Sequence, residues 1–569
     1  MPPFHPTELQ LSPASARFWS TLVFLGVLVI ATAAIFALLP PIVWSHRADM
    51  FVTFYPWDLW LIIRQTSIPP LETMSLGDIV GYPFRMAAAF TAPPPWRALA
   101  IPLLLRIAVV IAIAALAAKL VFVRVREVSP KQMRARHVNG PRPMRGQWGA
   151  AHLNQIWAPL RRQTGDGLLL APGVRLPIVT EQQGILLVGQ PGAGKSVILE
   201  GLLRQALARR DRVVALDVKG GLANRMAADK PATLGLSGAT SVVWAIGEDL
   251  LSDADADEFA ASLIPESKDP VWSEGSRLIL SALVLYLANR YGRQWGWRHL
   301  YRLLNQPLEK QEQMVRQVAP EVANMIQQRG EEPATFILSL LFNLTAHVGA
   351  TARRLARMEH ARARRLSLRK WATATGWRRP IVLRYDLQRR ERSANFVKLS
   401  LRLLAGTLLG DEVEDGRDAR IWLFLDEVTR IGRSDALIDL VSLGRSRGVR
   451  SVASLQSPAQ LRDAYGEAGA EALRENFGLQ IVCALSPGDN AKRIANDWVA
   501  PRTVCEPRTV PQNGAQREWT IPPISPAEYA ADFGLRFDLW GRPYVRAVVL
   551  GLGDIPVLDW PFHRWMPKA

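Results

Sequence analysis

The stretch GILLVGQPGAGKSVILEG, residues 184–201, decides the fold. It holds Gly189, Gly194, Lys195 and Ser196 at the fixed positions of G-x-x-x-x-G-K-[ST]. In such a loop the glycines let backbone N–H groups close on triphosphate oxygens, the lysine reaches the β and γ phosphates, and the hydroxyl ligates Mg2+. The apolar run Ile185–Val188 before it reads as a buried strand, and Val197–Ala208 after it reads as a helix whose N-terminus faces the anion. The competing reading is a glycine-rich turn between strand and helix. Strand, loop and helix in this order point instead to ATP and Mg2+, held by Gly189, Gln190, Pro191, Gly192, Ala193, Gly194, Lys195 and Ser196.

Outward from the loop, further apolar runs at 212–218, 380–387, 420–428, 449–456 and 478–486 alternate with helical patterns, which predicts an α/β domain with a parallel sheet covered on both faces. The long helical interval 255–350 reads as an inserted all-α subdomain. IWLFLDEVTRIG, residues 421–432, is a strand ending in two acids. After a phosphate loop, Asp426 is placed to hold Mg2+ through water and Glu427 to polarise the attacking water; an acidic pair in a solvated turn is the alternative. LGRSRG, 443–448, offers Arg445 and Arg447 either as cations for a neighbouring subunit's γ phosphate or as a solvated basic turn. Gln456 reads as a γ-phosphate sensor or an ordinary polar strand end.

The chain of 569 residues is long enough for several domains. Its 69 Lys and Arg against 51 Asp and Glu give a formal charge of +18, which favours nucleic acid or the cytoplasmic face of a bilayer as partner. Two cysteines, Cys483 and Cys505, with no C-x-x-C, indicate neither a disulfide framework nor a zinc site. Residues 18–39, FWSTLVFLGVLVIATAAIFALL, are free of charge for about 22 residues and long enough to span a bilayer. A signal peptide ending near Ala31-Thr-Ala33 competes, but the apolar run continues past that point. A second span is expected at 101–123, with Arg106 and Lys119 reaching to the interfaces. The basic stretch that follows, Arg124, Arg126, Lys131, Arg134, Arg136, Arg142 and Arg145, puts the large C-terminal part in the cytoplasm. The loop at 40–100, with Trp44, Trp57, Trp60 and Trp96, is then periplasmic.

Read together, these features resemble the type IV secretion coupling proteins of the TraD/TraG class, which are related to RecA-like and FtsK-like hexameric motors. The resemblance rests on the two spans, GQWGAAHL (146–153), the phosphate loop, LDVKGG (216–221), KDPVWSEGSRLILSAL (268–283), FLDEVTRIG (424–432), LGRSRG and SLQSPAQLRDAYG (454–466). It implies a RecA-like P-loop NTPase with an inserted all-α subdomain, preceded by two transmembrane helices. The expected division is a cytoplasmic N-terminus at 1–17, spans at 18–39 and 101–123 around the periplasmic loop, a basic lead-in at 124–180, nucleotide-binding parts at 181–254 and 351–569, and the insert at 255–350. It further implies an ATPase at the bacterial inner membrane that moves single- or double-stranded DNA without sequence preference, taking it from a relaxase in the relaxosome to a type IV secretion channel, as a homo-hexamer. Lys195, Glu427, Arg445 and Gln456 would be catalytic, with Ser196 and Asp426 at the metal. One departure is that family members commonly carry an acid where Gly221 stands, which leaves Asp217 and Lys219 as weaker candidates. A coupling ATPase for protein effectors and an FtsK-like chromosome translocase are the alternatives.

DNA contact has a separate indication in the dense run Arg353, Arg354, Arg357, Arg362, Arg364, Arg365, Arg369 and Lys370. Such a run neutralises phosphates and releases counterions, or else forms a solvated helix face.

Overall fold

Apolar runs that lack alternation must be covered on both sides, and they become the centre of one sheet. The computed structural model describes residues 13–38, 42–47, 50–54, 96–127, 136–236, 240–326, 331–360, 363–376, 378–410, 413, 419–505 and 518–562. The expectations on Trp57, Trp60, Lys131, Arg134 and Arg362 lie outside these residues. The chain divides into two units, Met1–Val138 with Val504–Trp519, and Asn139–Thr503 with Thr520–Ala569.

In the larger unit an 11-stranded sheet contains β1 (Pro143–Arg145), β2 (Ile185–Val188), β3 (Arg212–Asp217), β4 (Ala232–Gly235), β5 (Ile381–Arg384), β6 (Ile421–Leu425), β7 (Val449–Leu455), β8 (Leu479–Val482), β9 (Gly534–Phe537), β10 (Pro543–Leu550) and β11 (Ile555–Pro561). The order is β1-β11-β10-β8-β2-β7-β6-β3-β5-β4, with β9 on β10. From β8 to β4 every neighbouring pair is parallel. Side chains alternate between two cores: Leu186 and Val188 of β2 face one, Ile185 and Leu187 the other.

The sheet is mixed rather than purely parallel. β10 pairs antiparallel with β8, β9 and β11. Only four residues separate β10 from β11, with Gly551 and Gly553 at positive φ, and so tight a connection joins antiparallel strands alone. The proline-bearing C-terminal segment thus extends the sheet.

Helices run from Asp253 to Met358, with one π-helical turn at Thr345–Gly349, against the expected 255–350. The first, Asp253–Leu263, opens with a capping box between Ser252 and Asp255, and Asp269 caps Pro270–Tyr291. The insert returns to the core through a short parallel pair, Val243–Trp244 with Arg365–Leu366. There the buried Asp249 accepts from Trp244 Nε1 at 2.7 Å, from Leu368 N at 2.8 Å and from the Ser367 hydroxyl.

In the smaller unit, helices α1 (Pro13–Leu38) and α2 (Trp96–Glu127) pack on each other. Leu25, Val29 and Ile30 of α1 and Leu105, Leu116 and Leu120 of α2 are exposed, whereas Val110 and Ala114 are buried. Within α1 and α2 the described apolar stretches are the shorter Ser20–Thr32 and Ile107–Leu120, whereas Pro270–Gln294 and Thr335–Met358 are the helices among the described residues long and apolar enough to cross a membrane. Their Ile279, Leu283, Leu340 and Leu344 belong to the core of the larger unit, which accounts for that apolarity.

Candidate nucleotide site

Parallel pairing brings the ends of four strands to one edge. Val188 of β2 pairs with Leu455 of β7, Leu425 of β6 pairs with Ala453 of β7 and with Leu216 of β3. The residues that follow β2, β3, β6 and β7 therefore emerge together beyond the carboxyl ends of the strands, where open α/β sheets bind ligands.

After β2 the chain turns through Gly189–Gly194 into helix α3 (Lys195–Ala208), which begins two residues earlier than the apolar pattern suggests. Gly192 and Gly194 have φ of 78° and 92°. A Cβ on Gly194 would lie 2.2 Å from Val545 Cγ2, so the turn needs glycine for its backbone angle and for the closeness of β10. Gly189 N donates to Leu455 O at 3.3 Å and Gln190 N to Ala484 O at 2.9 Å, which ties the loop to the flanking strands. Ser486 Oγ donates to Gln190 Oε1 at 2.6 Å. Pro191 and Gly192 are exposed, Ala193 is buried and Ser196 is half-buried at the helix N-terminus. Lys195 is buried, and its ammonium donates to the loop's own carbonyls, Gly189 O and, at 3.2 Å, Gln190 O. Burial pushes its pKa below that of an ordinary lysine. Cys483, whose Cβ crowds Gly189, is an inert thiol pushed up to about 12 by burial.

The acidic pair is organised by β7. Ser454 Oγ donates to Asp426 Oδ1 at 2.7 Å and accepts from Glu427 N at 2.9 Å. Glu427 has φ of 51°, a left-handed conformation unusual outside glycine, which turns its side chain sharply from the strand. Lys219 Nζ lies 3.0 Å from Glu427 Oε1 and 3.7 Å from Asp426 Oδ2. Arg430 Nε is 3.4 Å from Glu427 Oε2. Burial alone would raise the Glu427 carboxyl, but hydrogen bonds from Lys219 and Gln456 and the charge of Lys219 hold it below the usual carboxylate range. Burial opposes the charge on Lys219, yet the two acids keep its pKa above that of an ordinary lysine.

This edge gathers the phosphate loop, Lys195, Ser196, Asp426, Glu427 and Gln456. A hydroxyl at a helix N-terminus and a carboxylate at a strand end are hard oxygen donors suited to Mg2+ that shares its shell with phosphates and water. Among the described residues no group of three or more His, Cys, Asp or Glu is gathered around a possible metal position. The Asp217 carboxylate accepts from Gly220 N at 2.8 Å and Leu222 N at 3.1 Å, which fixes the turn after β3. Lys219, two residues on, is the residue of that turn that reaches the acid pair. Ser454 escaped sequence reading; its only signal is a hydroxyl inside the apolar run of β7.

Arg445 lies elsewhere. Its turn precedes β7, whereas Gln456 follows it, and seven residues of strand at ~3.3 Å each separate the two by about 20 Å. The Arg445 side chain is exposed, and Arg447 donates to Val413 O. Arg445 therefore cannot reach the nucleotide edge of its own subunit.

A family model described as the type IV secretion-system coupling protein DNA-binding domain matches residues 168–510. Coupling protein TraD of Escherichia coli (strain K12) is 27% identical over 311 residues, 52% of this chain and 41% of TraD, so the match spans less than half of that relative. Among solved structures, the bacterial conjugative coupling protein TrwBdeltaN70 in an unbound monoclinic form is similar with a TM-score of 0.58 at 22% identity, over 75% of this chain and 93% of that one. Plasmid coupling protein TrwB in complex with ADP and Mg2+ gives 0.57 at 23% identity, over 76% and 94%. At these identities the likeness establishes the fold, a P-loop α/β fold with a mixed sheet.

Proposed function

Because the chain belongs to the family of type IV secretion-system coupling proteins, matched over 168–510, we propose that it is a membrane-anchored ATPase that drives DNA from a relaxosome into a secretion channel. The observation that carries the reading is the gathering of Lys195, Ser196, Asp426, Glu427 and Gln456 at one sheet edge. TrwB, of the same fold, has been captured with ADP and Mg2+, which supports the same ligand pair here.

Bound Mg·ATP supplies the phosphoryl group and the cation that draws charge from it. The chain contributes position and electrostatics, the principal terms in phosphoryl transfer. Lys195 exchanges the carbonyls of Gly189 and Gln190 for phosphate oxygens, the N–H groups of 192–196 close on the same anion, and Ser196 and Asp426 hold the metal. Glu427 orients the attacking water and accepts its proton. Gln456, already bonded to Glu427, passes the state of the γ position to β7. Arg445 completes the site of a neighbouring subunit in a homo-hexamer.

Exposed apolar side chains on α1 and α2 support membrane crossing: 26 and 32 helical residues extend about 39 and 48 Å, beyond the ~30 Å hydrocarbon core. With the basic residues after α2 on the inner side, the larger unit faces the cytoplasm.

DNA contact narrows to one basic cavity. Of the run at 353–370, Arg365 pairs with Glu359 at 3.5 Å, Arg369 with Asp255 at 3.2 Å and Lys370 with Glu248 at 2.8 Å. Arg354, Arg357 and Arg364 form no ion pair with a described acid, and with Thr240 and His360 they line a cavity of about 520 Å³. Unneutralised arginines around a concave surface suit backbone phosphates. The purified full chain is expected to hydrolyse ATP faster with DNA of any sequence, and Arg357→Ala with Arg364→Ala to flatten the slope of log affinity against log salt by about one per lost phosphate contact. Salt-independent DNA binding would transfer the assignment to protein effectors.

A further inference from the structure

Among the described residues Lys219 is the one cation ion-paired with both acids, and no part in the chemistry above has been given to it. We propose that Lys219 is a resident counter-ion that the incoming Mg2+ displaces, so that the metal and this lysine compete for Asp426 and Glu427. The inference rests on the nucleotide-site reading above.

The argument begins with solvent. The side chains of Asp426 and Glu427 are 13% and 9% exposed, too little for water to solvate two neighbouring anions, whereas Lys219 is 55% exposed. The pair therefore needs a cation at all times, while the lysine loses little by leaving. Lys195 feels the charge of both acids, but its ammonium is turned onto Gly189 O and Gln190 O and makes no ion pair with either. Arg430 reaches only the far oxygen of Glu427. Lys219 alone spans both carboxylates, and it does so from β3, the strand beside β6, with Leu216 in register with Leu425.

The turn itself stays in place, with Arg384 Nη1 donating to Gly220 O at 3.4 Å, and it is the half-exposed lysine side chain that can let go. Asp217 anchors the turn from below, Gly220 has φ of 82°, and a Cβ on Gly221 would meet no atom within 4 Å. The exchange transfers no proton and breaks no covalent bond: with Mg2+ held at Asp426, the metal would meet the charge of the pair and the ammonium would swing to solvent. While Lys219 holds Glu427, that carboxylate is engaged and cannot orient water; metal arrival frees it. The lysine thus sets the Mg2+ level at which the site becomes competent.

The test uses the full chain in detergent with ADP bound, and Mn2+ as a paramagnetic probe of the metal site. Lys219→Gln, which removes the charge and keeps a polar side chain one bond shorter, is expected to lower the half-saturating Mn2+ about three- to tenfold, as fits a half-exposed ion pair. Lys219→Arg should stay within about twofold of the wild type. ADP affinity without metal should be equal in all three proteins. A midpoint that is unchanged or raised in Lys219→Gln overturns the proposal, and a parallel loss of metal-free ADP affinity would assign Lys219 to the phosphates instead. Wild-type protein that binds neither ADP nor Mn2+ would remove the nucleotide-site reading itself, a separate failure.

Discussion

Strand β7 carries Ser454 and leads into Gln456 at one end, and carries Arg450 near the other, and the charged networks at these two ends are built in opposite ways. At the far end Glu181 is fully buried and accepts two bonds from Arg209, both 2.9 Å, and one from Arg450 Nε at 3.1 Å. Asp211 accepts from Arg209 at 2.8 Å and from the indole of the buried Trp422 at 2.9 Å. Every acid there has fixed, near-ideal donors, and Arg209 closes the C-terminus of α3 while Arg450 and Trp422 begin β7 and β6. At the nucleotide end, by contrast, the acids lean on a half-exposed lysine at 3.0 and 3.7 Å, and Lys195 is held by carbonyls that it can exchange. The same strands thus have one end locked and one end built for exchange. A locked base lets the loop and the acid pair change partners without the sheet moving, which is how a rigid scaffold positions mobile chemistry.

The largest effect that sharpens this contrast falls between subunits. Arg445 sits at the locked end, about 20 Å from its own nucleotide edge, and is free of partners among the described residues. Arg445→Ala is expected to lower DNA-stimulated ATP turnover by roughly a thousandfold with stability unchanged. Mixed with Lys195→Ala, it should recover part of the activity that neither variant shows alone, measured as turnover of hybrid rings. No recovery in verified hybrids would return Arg445 to an ordinary solvated turn.

A smaller effect, on stability rather than turnover, belongs to Glu181. Glu181→Ala leaves Arg209 and Arg450 without their shared acid and is expected to destabilise the larger unit by about 3–5 kcal/mol, read from chemical denaturation. Lys219→Gln, at the exchangeable end, should move the same curve by less than about 1 kcal/mol. Equal losses would mean that the two ends are not different in kind.

The smaller loss at the locked end is Trp422→Phe, which keeps an aromatic ring and removes the donor to Asp211. A cost of about 1–3 kcal/mol is expected, in the same denaturation measurement, because a buried acceptor loses one of its bonds.

Much of the exchangeable end was legible in the sequence, because its chemistry depends on residue types at fixed spacing: a lysine and a hydroxyl after a glycine turn, and acids at a strand end. Lys219 was weighed there only as a weak candidate, since its role depends on which strand lies beside β6. Ser454 was missed for the same reason, as its partners are 27 and 28 residues away. The locked end was invisible, since Glu181, Arg209 and Arg450 meet only through the fold, from segments separated by as many as 269 residues. The antiparallel strands β10 and β11 fall outside the apolar runs read as strands, because their place in the sheet depends on a hairpin that no spacing rule specifies.

The most direct test of the account is single-turnover ATP hydrolysis by the full chain with DNA present, comparing wild type with Glu427→Gln. The account predicts that the variant binds Mg·ATP as tightly as the wild type and cleaves it at least about a hundredfold more slowly, since water loses its orienting base while the phosphate loop is intact. Cleavage at the wild-type rate, with binding unchanged, would contradict the assignment of this strand end as the site of the chemistry.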